Sequence, residues 1–357
     1  MQNKEEYLQI IKKLENSVNV LLKGFYDLKK EINNSYKKKI DLSRQFSIIN
    51  LPSKGIYYPN KNKSLLVRYL TAIEEHILCD TFLMESGRGI ELVLSQLIMD
   101  NIDIKELLMC DFQAILMFLR SNAYGDIIEI NPICPHCGKE GENEFKLSDL
   151  NFKKSEISPN ENGKYVIFLP EIEKEFVISP LTLAKELEKI ENESDNDYFI
   201  IKNEEGINTK IKKEKSLSLV YNIDSINEFS NKEQIKKIIR KLPKKQIDSI
   251  INFIKENELG IDEKVNLKCP FCGEEFIQRV DAGYNFLSLP DSYKNNIYEE
   301  IFLLTYYGKA ITYTDAMVMP VVERKWHIRR IKEEIEKQNA AEKQAMNKAK
   351  ANKGKFR

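Results

Sequence analysis

The 357-residue chain balances 55 Lys and Arg against 55 Asp and Glu, for a formal net charge of zero at pH 7. A surface of such mixed sign exerts no global pull toward nucleic acid or an acidic membrane, so any such binding must come from a local patch. The length allows two or three domains with real cores. No stretch approaches a membrane span and the first residues lack a signal-peptide core, so a soluble chain made in a reducing cytoplasm is expected.

Apolar residues first recur at alternating steps of four and three: Tyr7, Ile11, Leu14, Val18, Leu21, Phe25, Leu28 and Ile32. This heptad seam predicts a coiled-coil helix over residues 1–48, with self-association through Tyr7–Ile32 as one use of it. A single amphipathic helix docked on its own domain is the alternative. Leu51-Pro52-Ser53-Lys54-Gly55-Ile56-Tyr57-Tyr58-Pro59 then reads as an extended, turn-bearing entry to a globular body. Residues 65–70 suit a strand. Thr71 caps a helix with Glu74 as its capping-box partner, turning Ile73, Ile77 and Leu78 inward. Helices are expected at 89–99 and 111–120, the latter with Asp111 as N-cap, followed by a strand at 126–133.

That strand leads into Cys134-Pro135-His136-Cys137-Gly138, and a second copy of the pattern, Cys269-Pro270-Phe271-Cys272-Gly273, lies far downstream. A C-x-x-C turn brings two thiolates to one ion, and the Gly after it tolerates the positive φ that closes the loop. One such knuckle cannot fill a tetrahedron. Two together supply the four sulfurs of a closed structural zinc site, so Cys134, Cys137, Cys269 and Cys272 are the candidate ligands of a Zn2+ that holds structure and does no chemistry. A zinc ribbon leaves roughly 15–20 residues between its pairs, and the much longer gap here points to a domain inserted into a split ribbon. Two partial metal sites, a redox dithiol or metal-free buried thiols are the other readings. His136 is expected to be an exposed loop residue, and Cys79 and Cys110 to fill core.

Between the knuckles, residues 165–169 and 175–178 read as a β-hairpin, and 182–191 as a helix. Residues 192–206 read as a polar loop. Helices are expected at 224–229, at 232–240, and from Pro243 to about residue 257. Strands at 264–268 and 275–280 flank the second knuckle. A helix over 291–307 carries Tyr293, Ile297, Ile301 and Leu304 and stops at Gly308. Thr312 and Asp315 form a second capping signature, and Pro320 opens a long helix through Trp326, Ile328, Ile331 and Ile335. Residues 345–357 are expected to be a basic, frayed tail that orders on binding.

The fold class expected is thus α+β and mostly helical, with a split zinc-ribbon-like four-Cys site, an N-terminal coiled-coil helix and a long C-terminal helix. Its domains are 1–48 (coiled coil), 49–150 plus 262–319 (zinc-stapled core), 151–261 (inserted hairpin and helices) and 320–357 (C-terminal helix and tail). The phosphate-loop, dinucleotide, zinc-protease and nucleophile-elbow motifs are all missing. Adjacent carboxylates such as Glu74-Glu75 and Glu299-Glu300 read as solvated faces, so no enzyme is expected. A zinc-ribbon nucleic-acid-binding protein is the alternative function, since basic clusters occur at Lys236-Lys237, Arg240-Lys241, Lys244-Lys245 and 324–330, the last with Trp326 interleaved. Glu256, Glu258 and Glu333-Glu334 interrupt these runs, so nucleic acid is not the expected partner.

Taken in order, residues 51–59, VRYLTAIEEHIL (67–78), DFQAILMFLRSNAYGDIIEI (111–130), both knuckles and residues 297–331 carry a resemblance. The chain resembles the baseplate hub subunits, or hub assembly proteins, of T-even-like contractile-tailed bacteriophages over about residues 51–357. The resemblance implies a non-enzymatic structural or assembly role in the virion tail baseplate, with assembly in the host cytoplasm. It also implies other hub or wedge proteins as partners, the tail tape-measure protein as a further candidate, and no membrane. No catalytic residue comes with it. Only the four cysteines acquire a role, as metal ligands.

Overall fold

A computed structural model of the protein describes residues 45–153, 155, 157–192, 198–202, 208–212, 215–280 and 282–353. The chain divides into Met1–Arg44 and Gln45–Arg357. The predicted coiled coil falls in the first unit and lies outside the described residues.

The second unit starts with β1 (Phe46–Asn50), paired antiparallel with β2 (Ser64–Arg68). The turn between them needs Gly55 at φ 73°, because a Cβ there would lie 2.4 Å from the carbonyl oxygen of Asn62. Four helices follow: α1 (Ala72–Leu78), α2 (Thr81–Glu85), α3 (Arg88–Leu97) and α4 (Met109–Tyr124). Thr71 and Glu74 form the expected capping box on α1. The short α2 is signalled only by Asp80, whose side chain accepts from the Leu83 N–H at 2.9 Å. Ile90, Val93, Leu94 and Leu97 of α3 pack with Phe112, Ile115, Leu116 and Leu119 of α4 over β1 and β2, forming the largest buried cluster.

Two sequence expectations fail here, and each concerns a carboxylate that the fold buries. Asp111 does not cap α4, which begins two residues earlier behind Leu108. Its carboxylate is buried and accepts from Ser53 N (2.9 Å), Ser53 Oγ (2.6 Å) and the Tyr58 hydroxyl (2.6 Å), tying the entry turn to the core helix. Glu74 and Glu75 are likewise not a solvated face. Both are fully buried, while Ile73, expected inward, is 37% exposed.

After α4 the chain forms the hairpin β3 (Ile127–Ile130) and β4 (Asn143–Lys146), then β5 (Phe152–Lys153). Next come β6 (Tyr165–Leu169) and β7 (Lys174–Ile178), paired in unbroken register as expected. Beyond α5 (Leu183–Asn192), residues 192–206 were expected to be a loop. They instead contribute β8 (Tyr198–Lys202), which pairs with β9 (Asn208–Lys212). Residues 224–229 do not form a helix. They lie in β10 (Ile223–Ile226) and the turn after it, and β10 completes a sheet of order β10-β7-β6. The β-branched Ile223 and Ile226 sit on the buried face of that sheet, a placement that outweighs local helix propensity. This face packs on α6 (Lys232–Ile239) and α7 (Lys244–Asn257) through Ile235, Ile239 and Ile250, a second core of its own.

The chain then returns through β11 (Gly260–Ile261), which pairs with β5, and the hairpin β12 (Lys264–Lys268) and β13 (Glu275–Arg279). Three helices close the fold: α8 (Tyr293–Tyr307), α9 (Tyr313–Val318) and α10 (Val321–Lys353). The last runs through most of the tail expected to be frayed. Its first turns supply Arg324, whose side chain is fully buried between α1 and α8. The guanidinium donates to Glu75, and its Nε donates to Glu300 at 2.7 Å. The Tyr124 hydroxyl donates to the other oxygen of Glu75 at 2.9 Å, and Arg68 donates to Glu74 at 2.8 Å. Burial lowers the affinity of Arg324 for its proton, and Glu75 and Glu300 more than restore it, so the guanidinium is held above its ordinary pKa. Arg324 is thereby removed from the basic run at 324–330. Among the described residues no helix is long and apolar enough to cross a membrane.

Removing one partner from a buried ion pair strands the other without solvation. Glu75→Gln should therefore cost about 3–5 kcal/mol in denaturant unfolding. Glu299→Gln, on the exposed side of α8, should stay within about 0.5 kcal/mol of the parent.

Candidate metal centre

Each knuckle is the turn of one of the two equivalent hairpins: residues 131–142 join β3 to β4, and residues 269–274 join β12 to β13. Their backbones repeat the same pattern. Gly138 N–H donates to Cys134 O at 2.9 Å and Gly273 N–H to Cys269 O at 3.0 Å. Cys134 N–H donates to Lys139 O at 3.0 Å, and Cys269 N–H to Glu274 O at 2.9 Å. Gly138 and Gly273 take φ of 70° and 77°, the left-handed conformation that the sequence pattern requires. Local chemistry alone thus builds two copies of one turn.

The fold then faces them toward each other. The sulfurs of Cys134, Cys137, Cys269 and Cys272 all lie within 4.8 Å of one another, and among the described residues this is the group able to hold a metal ion. Cys134 Sγ is 3.8 Å from Cys272 Sγ, and Cys137 Sγ is 3.7 Å from Cys269 Sγ. A regular tetrahedron with the usual zinc–sulfur bond has an edge of about 3.8 Å, the length of these two edges, and the four sulfurs together are close enough to converge on one ion. The first cysteine of each knuckle is buried and the second lies at the surface. His136 is exposed and stands outside the cluster.

The surroundings place the first thiolate at Cys269. The backbone N–H groups of Cys272 and Phe271 are directed at its sulfur and, with the neighbouring thiols, bring it down to about 6. At Cys272 the Glu274 N–H is outweighed by burial and by the thiols of Cys269, Cys134 and Cys137, which push it up to about 12. Cys79 shows the opposite behaviour to Cys269, its thiol pushed up to about 11 by burial, then by Glu75. Burial, followed by the adjacent Asp111, also raises the Cys110 thiol. Both are buried, free and apart from the four-sulfur group, the core-filling role expected of them.

Beneath the sulfurs lies a third core of Phe145, Leu147, Leu150, Ile261, Val265, Leu267 and Phe276, drawn from both hairpins, the turn after β4 and β11. One contact that holds the knuckles together was not anticipated. Gly141 sits against the second knuckle, where a Cβ would come within 2.7 Å of Pro270 Cγ and 3.0 Å of Phe271 Cε2. The Lys139 ammonium lies over the Phe271 ring at 5.2 Å from its centroid. The only sequence signal for this approach was a second Gly three residues after Gly138.

Gly141→Ala should force the rigid Pro270 ring away and cost about 1–3 kcal/mol, the range for overpacking. Gly125→Ala offers no steric control because of its own positive φ, so Lys139→Ala is the better comparison. It removes an exposed contact and should cost under about 1 kcal/mol.

Residues 52–283, which include both knuckles and everything between them, match the model of a family described as T4 bacteriophage base plate protein. No curated protein and no solved structure matches the chain.

Proposed function

The chain belongs to the T4 bacteriophage base plate protein family, and from that premise we propose that it is a non-enzymatic hub component or hub assembly factor of a contractile-tail baseplate. A structural zinc held by Cys134, Cys137, Cys269 and Cys272 staples its body. The observation that carries the zinc reading is the convergence of four sulfurs, all within 4.8 Å of one another, from turns separated by well over a hundred residues.

A four-thiolate shell leaves no coordination position for substrate or water. The metal's contribution is therefore to folding, since the energy of binding it is available only once both hairpins are in place. Two stretches of the chain are the partner-facing ones in this reading: the heptad seam of residues 7–32 and the far end of α10. Other hub or wedge proteins of the baseplate are the partners this reading assigns to them.

Elemental analysis of the purified full-length chain should give one zinc per chain. Cys134→Ser and Cys272→Ser should each lose it and unfold at lower denaturant, and chelation should do the same to the parent. A chain that holds no metal, or folds equally well with either substitution, would sink the staple. In infected cells, blocking synthesis of the chain should leave heads without complete tails. Normal baseplates under those conditions would rule out the assembly role whatever the metal content.

A further inference from the structure

The four-sulfur group offers a second chemistry besides holding a metal. In each knuckle the first cysteine is buried and the second lies at the surface. Two close sulfur contacts run across the gap between the knuckles. Surface Cys272 lies 3.8 Å from buried Cys134, and surface Cys137 lies 3.7 Å from buried Cys269. Each contact thus joins an accessible sulfur of one hairpin to a shielded sulfur of the other. That is what a thiol pair needs to oxidise to a bridge: an exposed thiolate to meet the oxidant and a resolving thiolate beside it. Cys79 and Cys110 offer neither, since both are buried and stand apart from this group.

We propose that the four cysteines are also a redox site, at which oxidation joins Cys134 to Cys272 and Cys137 to Cys269 and replaces the metal with two covalent bridges. At each pair a hydroperoxide takes two electrons from the surface thiolate, which becomes a sulfenic acid as hydroxide leaves. The buried thiolate of the other knuckle then attacks that sulfur, forming the S–S bond and displacing a second hydroxide. One peroxide is consumed per bridge. No thiolate remains once both bridges are made, so a bound ion is released. Each contact must shorten by about 1.7 Å to reach bonding distance, and the surface sulfur of each pair is the one with room to move.

Connectivity sets the consequence. Bridges within the knuckles would leave the two turns unjoined once the metal goes. Bridges across them keep the turns together, tying residues 138 and 132 apart in sequence, and a crosslink that closes so long a loop constrains the unfolded chain strongly. On the baseplate reading the chain is made in a reducing cell and leaves it in a particle. One set of sulfurs then serves both conditions, with metal inside the cell and disulfide outside it. The pairing itself rests on the convergence of the sulfurs, and holds whichever metal they bind.

The test uses the full-length chain, with its zinc measured first and hydrogen peroxide then added in small excess, with and without a chelator. Thiols counted after denaturation should fall from six to two, Cys79 and Cys110, and zinc should be released in step. A non-reduced digest should hold residues 134–137 and 269–272 in one joined peptide pair, with fragmentation placing the bridges at Cys134–Cys272 and Cys137–Cys269. With the chelator present, the oxidised chain should withstand denaturant at least as well as the zinc-loaded one, and dithiothreitol should reverse this. Cys137→Ser combined with Cys269→Ser should form the Cys134–Cys272 bridge alone; if that variant fails to fold, the digest of the parent still decides. Bridges inside either knuckle, or sulfinic acids in place of bridges, overturn the proposal. A chain that purifies without zinc yet forms both cross-bridges upholds it and sinks only the metal staple.

Discussion

The meeting of four sulfurs marks where the fold closes on itself. Cys134 and Cys272 are 138 residues apart in sequence, and Cys137 and Cys269 are 132 apart, yet their sulfurs nearly touch. Everything between the knuckles must therefore leave from and return to one point. The intervening chain satisfies this by building its own core of Phe176, Ile223, Ile226, Ile235, Ile239 and Ile250. The β5–β11 pair joins its two ends as they re-enter the body. Loop-closure entropy grows only with the logarithm of loop length, so an insertion this large costs little more than a short one once the two ends are clamped.

A second long-range closure is electrostatic. Arg324 and Glu75 are 249 residues apart and meet with no access to water, with Glu300 and Tyr124 completing the arrangement. Desolvation offsets most of the attraction in such a pair, so its presence says little about net stability. What it fixes is geometry. A guanidinium between two carboxylates on α1 and α8 admits one seat for α10, whereas apolar contacts among Ala72, Ile297, Ile301 and Ile328 would tolerate neighbouring ones.

These two closures differ in how much of them the sequence reveals. The knuckles are legible because Cys, Pro and Gly at fixed spacing have a specific geometric purpose, and two copies of one incomplete ligand set imply each other. The capping box at Thr71 and Glu74 is legible for the same reason, its chemistry being complete within four residues. Glu75, Asp111 and Arg324 are common charged residues on helices, and nothing local separates a buried one from a solvated one. Their partners are chosen by tertiary packing. Ile223–Ile226 fails in a related way, since four residues are too few for periodicity to distinguish strand from helix and the sheet decides.

The seating of α10 has a consequence at its other end. The helix is 33 residues long, about 50 Å at the standard rise. Its grip on the body lies in the first turns, around Arg324 and Ile328, and from Glu336 to Asn347 every residue is exposed. It is thus a spoke fixed at its hub end. Its azimuth is locked by one guanidinium, and its reach is measured out by residue count. Adding or removing a single residue beyond Arg324 would change the length by only about 1.5 Å but swing the far face by about 100°. For whatever meets that tip, angular phase is the quantity that the chain length encodes.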